Sequence, residues 1–373
     1  MRRRPSFSRT QLNGAVAVAA ATAAGLVLAT APGAAQAAPV GSAPAGHAAT
    51  VPARAAGTRL VARTVLSGKR LGLSKPDDLT AMGGQLFVAF QNGVPSTGGV
   101  KGTPSRSTVV EFTRTGKVLR RWQLVGKCDG LTADPTNQRL IATVNEDGRS
   151  SLYSIPVAGH RRPTRYRYDA NPLPHGGGTD SITFDHHRMY LAASAPSTGT
   201  FGPAVYQVTL VHTTAKLTAV PFFDSSIASI ANVGARNRTV HLALTDPDST
   251  TVVPTQSPRF AGDFMLDAQG DQQQVYVSRI GVRGQHLQVL KLTQPVDDTA
   301  WVTTGGGTLF AANNTTDTIV AITGPFRSGT DYSSATPNTG KHYLATTNLR
   351  TGAVARVATT GAAVAPSGLL YLP

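Results

Sequence analysis

The sequence predicts an all-β fold arranged as a radial array of short antiparallel sheets, and three observations point to it. One phrase recurs from Lys75 to the C-terminus: a small or acidic residue, an apolar strand, a tight turn, and a second strand ending in small or polar residues. It reads Asp78-Leu-Thr-Ala-Met-Gly-Gly-Gln-Leu-Phe-Val-Ala-Phe, then Asp129-Gly-Leu-Thr-Ala-Asp-Pro-Thr-Asn-Gln-Arg-Leu-Ile-Ala-Thr, then Asp180-Ser-Ile-Thr-Phe-Asp-His-His-Arg-Met-Tyr-Leu-Ala-Ala, with Asp78, Asp129 and Asp180 at equal intervals. Looser copies begin at Asp263 and Asp298, and a last one runs from Ala362 to Pro373. The second observation is alternation of β-branched and aromatic residues bounded by Gly, Pro, Asn and Asp, with no helical apolar spacing beyond the N-terminal run. The third is that only Glu111 and Glu146 are glutamates among 20 acidic residues, and Asp favours turns and strand starts where Glu favours helices. Repetition at this period is the signature of a β-propeller.

The first blade takes its strands near 78–82, 86–90, 108–113 and 118–124, with Arg114-Thr-Gly-Lys117 as a hairpin turn. The second takes 131–133, 139–144, 151–155 and 164–168, and the third takes 181–184, 189–193, 204–209 and 216–222. A less regular fourth blade is expected over 226–253 and a fifth over 263–292. A sixth opens at 298–302, 308–312 and 318–322 and is completed by 341–349 and 353–358, with 324–340 as an inserted loop. The chain ends on strands at 362–365 and 369–372 and offers an unpartnered strand at 59–66. An open edge strand templates aggregation, so the N-terminal strand is expected to finish the C-terminal blade. The count is then seven blades, or six if the fourth and fifth segments form one irregular blade.

Residues 1–37 read as a secretory signal: Arg2, Arg3, Arg4 and Arg9 precede an apolar run from Gly14 to Thr30, and Ala35-Gln36-Ala37 offers a cleavage site. The run is Ala-rich and barely long enough to span a bilayer, so no stable membrane span is expected after cleavage and a secreted, extracellular protein is. Residues 38–57 form an Ala/Pro/Gly-rich leader, and 58–373 a single propeller domain. The lone Cys128 can form no internal disulfide and is expected to be a small buried hydrophobe. The formal charge of +15 would suggest nucleic acid for a cytoplasmic chain; for an exported one no nucleic acid is expected, and anionic cell-envelope polymers are the expected partners of this charge. The ring itself is expected to be a monomer.

The phrase from Asp129, together with Leu309-Phe-Ala-Ala-Asn-Asn-Thr-Thr-Asp-Thr-Ile-Val-Ala-Ile, resembles the NHL/YVTN class of propeller repeats. The resemblance covers nearly all of the chain after the leader and implies fold. The class includes binding platforms, lactonases similar to gluconolactonase, and streptogramin lyases, and the repeat alone does not choose among them.

In a propeller the inner-strand starts and the loops after the second strands share one face. Asp78, Asp129, Asp180, Asp263 and Asp298 are therefore expected to converge at the channel mouth, where either some carboxyls stay protonated or a cation, Ca2+ or another divalent ion, sits among them. The alternative is that each aspartate caps its own turn. Asn92, Asn145 and Asn313 occupy comparable positions at the ends of second strands, and Lys101 and Arg106 lie on the first long loop, so these five are the candidate ligand-binding residues. His175 and Glu146 are the candidate catalytic groups. The lactonase-like members of the class use a glutamate with asparagine and aspartate at a metal, and only Glu146 could play that part here. No Gly-x-Ser-x-Gly, His-Glu-x-x-His, phosphate-binding loop or paired-cysteine site is present. A binding propeller for a ligand or envelope partner is the expected function, with a metal-dependent hydrolase or lyase as the alternative.

Overall fold

The computed structural model describes residues 59–373 apart from 160, 195–201, 224 and 236. The expected signal and leader lie outside the described residues. The strands Pro76–Met82, Gln85–Phe90, Arg106–Phe112 and Val118–Val125 form an antiparallel meander. Cys128–Asp134, Arg139–Val144, Ser151–Pro156 and Thr164–Tyr168 form a second, and Gly178–Asp185, Arg188–Ser194, Val205–Val211 and Thr214–Ala219 a third. The outer strands of the second and third pair in parallel, Thr214 opposite Arg167, so the two merge into one eight-stranded sheet. These are the strands the repeat predicts, within a residue or two at most ends.

Further along, the architecture differs from the expectation. The fourth and fifth predicted segments share one six-stranded sheet. Its first strand is Pro247–Val252, followed by Phe264–Ala268, Gln273–Ser278 and His286–Lys291. Ile227–Ile230, expected as an inner strand, instead lies parallel against His286–Lys291 at the outer edge, with Thr239–His241 beyond it. The next sheet starts at Val296–Trp301 but continues with Asp331–Ala335, Tyr343–Thr347 and Val354–Arg356, so the expected inserted loop contains a buried strand. The hairpin Thr308–Asn313 and Thr318–Thr323 crosses into the last sheet, between the C-terminal strand Leu369–Leu372 and the N-terminal strand Leu60–Ser67. The two ends of the described chain thus meet in one sheet, as edge protection requires.

The first strands of these sets, Pro76–Met82, Cys128–Asp134, Gly178–Asp185, Pro247–Val252, Val296–Trp301 and Leu369–Leu372, adjoin one another in a closed cycle. Strand alternation explains the cycle energetically. In Gln85–Phe90, Phe87 and Ala89 pack towards Leu131, Leu140 and Tyr153 of the second sheet. Leu86, Val88 and Phe90 pack the opposite way, against Phe310 and Ile319 of the last sheet. The same two-sided burial joins second to third through Ile141 and Leu191, third to fourth through Tyr190 and Leu266, and fourth to fifth through Tyr276 and Val296. Ala300 and Val320 join the fifth to the last. The apolar core is therefore a ring of six interfaces between sheets, among the described residues. The middle is left to the polar starts of the inner strands.

Candidate functional site

Five of the inner strands carry a β-bulge at the same place, between Pro76 and Leu79, Cys128 and Leu131, Thr179 and Ile182, Pro247 and Thr250, and Val296 and Thr299. A bulge inserts residues without ladder partners and re-aims their side chains. The first bulge residue is Asp77, Asp129, Asp180, Asp248 or Asp297, and Ser367 stands at the corresponding point before the C-terminal strand. All six line a central cavity of about 490 Å³. Past this ring the walls become apolar along the strands, through Leu79, Ile182, Phe184, Val252, Trp301 and Tyr371.

The second bulge residue does a different job. Asp78 accepts from its neighbour Leu79 N at 2.7 Å and, across to the next sheet, from Leu131 N at 2.7 Å. Asp298 repeats this with Thr299 N at 2.7 Å and Leu369 N at 2.6 Å. Ser181 Oγ donates to the Asp248 carbonyl at 2.8 Å. Gly368 completes the set, because a Cβ there would lie 2.3 Å from the Asp77 carbonyl oxygen. Asp78, Ser181 and Asp298 thus staple the first inner strand to the second, the third to the fourth and the fifth to the last. Asp78→Ala should therefore cost about 1–3 kcal/mol by leaving two N–H groups without their acceptor, measured by urea unfolding, whereas Asp263→Ala should stay within about 0.5 kcal/mol.

On one side of the ring stands Lys127, the only cation in contact with it among the described residues. Its Nζ lies 2.9 Å from Asp129 Oδ1 and forms an ion pair with Glu146. Gln91 Nε2 donates to Asp77 Oδ2 at 2.7 Å and to Asp129 Oδ1 at 3.1 Å, tying these carboxylates together. Asp129 Oδ2 is buried without any hydrogen-bond partner, as are Ser367 Oγ and Trp301 Nε1 on the same cavity wall. Asp248 and Asp297 are within hydrogen-bond reach of each other, an arrangement that favours protonation of one of them.

Burial is the chief reason that every ring carboxyl is held above the ordinary aspartate range. For Asp129 and Asp180 the next cause is the charge of Glu146, and for Asp248 it is Asp297. Asp77 is pushed up to about 7 by burial, with Lys127 pulling the other way.

Of the residues singled out from sequence, Asp78, Asp129, Asp180 and Asp298 do line the cavity. Asp263 does not: it precedes Phe264–Ala268, a second strand, because the inner strand of its sheet is Pro247–Val252. Asn92, Asn145 and Asn313 hold their own loops. Asn92 Oδ1 accepts from Ser74 N at 3.2 Å, Asn145 Oδ1 from Lys127 N at 3.0 Å and Asn313 Oδ1 from Ala365 N at 3.0 Å, and none of the three lines the cavity. Lys101 and Arg106 are exposed and also stand away from it. His175 is 5% exposed, with Nδ1 accepting from Tyr206 Oη at 2.7 Å and Nε2 donating to the Gly178 carbonyl at 2.6 Å. Burial lowers its pKa and both nitrogens are engaged, so it is a neutral structural histidine rather than a base. Glu146 reaches the ring through Lys127. Sequence reasoning missed Gln91, Lys127, Asp77, Asp248 and Asp297. The doublets Asp77-Asp78 and Asp297-Asp298 were visible, but the bulge that assigns ring and staple roles within each doublet was not.

The donor set does not fit a metal as it stands. Among the described residues no three carboxylate, imidazole or thiol groups converge to hold one. Asp78 and Asp298 are bonded through both oxygens to backbone N–H groups, and Lys127 already brings positive charge to Asp129.

No family model matches this sequence, and a search of curated protein sequences finds no match. Among solved structures, the chain is similar to a protein from Lactobacillus plantarum at 13% identity and a TM-score of 0.43, over 81% of this chain and 89% of that one. The periplasmic gluconolactonase of Pseudomonas aeruginosa gives 13% and 0.42 over 80% and 88%. A putative 6-phosphogluconolactonase from Bacteroides uniformis gives 10% and 0.40 over 78% and 85%. Likeness at this distance carries no argument about activity, and the description of the fold rests on the strand pairing above.

Proposed function

We propose that this protein is a non-enzymatic binding propeller of six blades whose central cavity takes an organic cation: an ammonium head among the ring carboxylates and an apolar body against Phe184, Val252, Trp301 and Tyr371. The observation that carries this reading is Asp129, 3% exposed, whose Oδ2 has no partner on the wall of a cavity ringed by four further aspartates at equivalent positions. Buried carboxylate oxygens are ordinarily paired, so a missing donor is expected there. A cavity of about 490 Å³ suits a small molecule. The N-terminal arginines and apolar run support export, the Asp129 and Leu309 phrases support an NHL/YVTN-type repeat, and the closed cycle of inner strands supports a monomer.

A second reading, a hydrolase or lyase, is favoured by one observation: the Asp248–Asp297 pair could act as a general acid and base. A thermal-shift series separates the readings. Phenethylammonium should raise the melting temperature, phenylpropionate, of the same body but opposite charge, should not, and Asp180→Asn should abolish the effect. Stabilisation by calcium that a chelator reverses, with no response to the ammonium, would replace the proposed ligand with a metal. Turnover of lactones lost in Asp297→Asn would establish the enzyme.

A further inference from the structure

The outer strand Val118–Val125 of the first sheet, with Gly159, Arg161, Arg162 and Pro163 of the second, forms a groove of about 620 Å³, remote in character from the acidic centre. Its lining contains Arg106, Arg120, Arg121, Arg161 and Arg162 and no acidic residue. Arg120 is anchored: its Nε lies 2.5 Å from Glu111 Oε2, its Nη1 donates to the carbonyls of Val157 and Gly159, and its guanidinium lies 5.2 Å from the ring centre of Trp122. Trp122 is in turn fixed from below by Phe87, with ring centres 6.3 Å apart. Arg121 donates to the Leu71 carbonyl at 3.3 Å. Arg106, Arg161 and Arg162 are exposed and have no side-chain partner among the described residues.

We infer that this groove is a second, independent binding site, for an extended polymer bearing phosphate or sulfate oxyanions. Every cation in the lining is an arginine. A guanidinium fork matches a tetrahedral oxyanion and stacks on aromatic faces, neither of which an ammonium does well. The anchored Arg120–Trp122 platform keeps the groove open, and the three unpaired arginines supply the contacts. The groove and the acidic central ring carry opposite charge, so an anionic polymer is favoured here and an ammonium ligand at the channel.

The test uses inorganic polyphosphate and, in parallel, dextran sulfate, titrated into the full mature chain and followed by intrinsic fluorescence, since Trp122 is one of only two tryptophans. Both polymers should bind, with affinity falling steeply as salt rises. Arg161→Ala/Arg162→Ala should weaken binding about tenfold or more at low salt and flatten the salt dependence by about two counterions. A charge-matched control on the exposed outer surface, Arg188→Ala/Lys216→Ala, should change it less than about twofold. Binding to one polymer only would assign phosphate or sulfate as the natural group. Equal losses in the two double variants, no binding, or stronger Arg161/Arg162-dependent binding to anionic vesicles than to either polymer would each overturn the inference. The outcome does not depend on the channel, because Asp180→Asn should leave it unchanged.

Discussion

Lys127→Met should destabilise the protein by about 3–5 kcal/mol, the range for removing one partner of a buried ion pair. The lysine faces Asp129 at 2.9 Å, pairs with Glu146 and acts electrostatically on Asp77, and its pKa is raised because the attraction of these carboxylates outweighs its burial. Methionine preserves most of the stem but leaves Asp129, 3% exposed and already lacking a partner for Oδ2, without its counter-charge. The double variant Lys127→Met/Asp129→Asn should recover much of the loss, giving a coupling energy of about 1–3 kcal/mol in the thermodynamic cycle. A cost below about 1 kcal/mol, typical of exposed pairs, would mean that the ring is solvated and its carboxylates are not short of partners.

The second large effect is on pH dependence. Asp267 and Asp331 are held at about 8 and about 7 in the folded protein, against an ordinary value of 3.8, and burial is the main cause for both. Asp77, held at about 7, and the other ring aspartates are raised by burial too and act in the same direction. A raised carboxyl pKa means that the folded state keeps protons which the unfolded chain releases above about pH 4. Stability from these groups is therefore full below the unfolded value and is lost as pH rises through the folded values, from about pH 4 to about pH 8. Each contributes on the order of a few kcal/mol as an upper bound. Urea midpoints of ligand-free protein should accordingly fall between pH 5 and pH 8. A midpoint that rises over this interval would contradict the buried, protonated carboxyls.

The repeat made the all-β ring legible because apolar alternation and turn residues are local signals, and the first three sheets follow it. The rest failed for physical reasons that a linear reading cannot see. Ile227–Ile230 has the composition of an inner strand, yet pairs in parallel at an outer edge. Asp331–Ala335, short and polar, is fully buried, which only tertiary pairing determines. The hairpin from Thr308 to Thr323 belongs to its neighbour's sheet because the N- and C-terminal strands there need partners. At the site, aspartate was the right residue type, but a bulge shifts facing by one residue, so the first of each doublet, not the second, belongs to the ring. Lys127 gave no sequence signal beyond its place next to Cys128-Asp129. Asn92 and Asn145 mark left-handed turn positions, with φ of 56° and 68°, Asn313 ends a strand, and the amides of all three are used by the loops themselves.

The central claim is that the carboxylate ring is the seat of an organic cation. Its most direct test is calorimetric titration of phenethylammonium into ligand-free protein near pH 7, in two buffers of different ionisation enthalpy. Binding at one site is expected, with a heat that differs between the buffers because the incoming charge favours release of protons from ring carboxyls that burial holds above the ordinary range, and with no binding in Asp180→Asn. Binding with identical heats in both buffers and unchanged in Asp180→Asn, or no heat at all, would contradict the assignment.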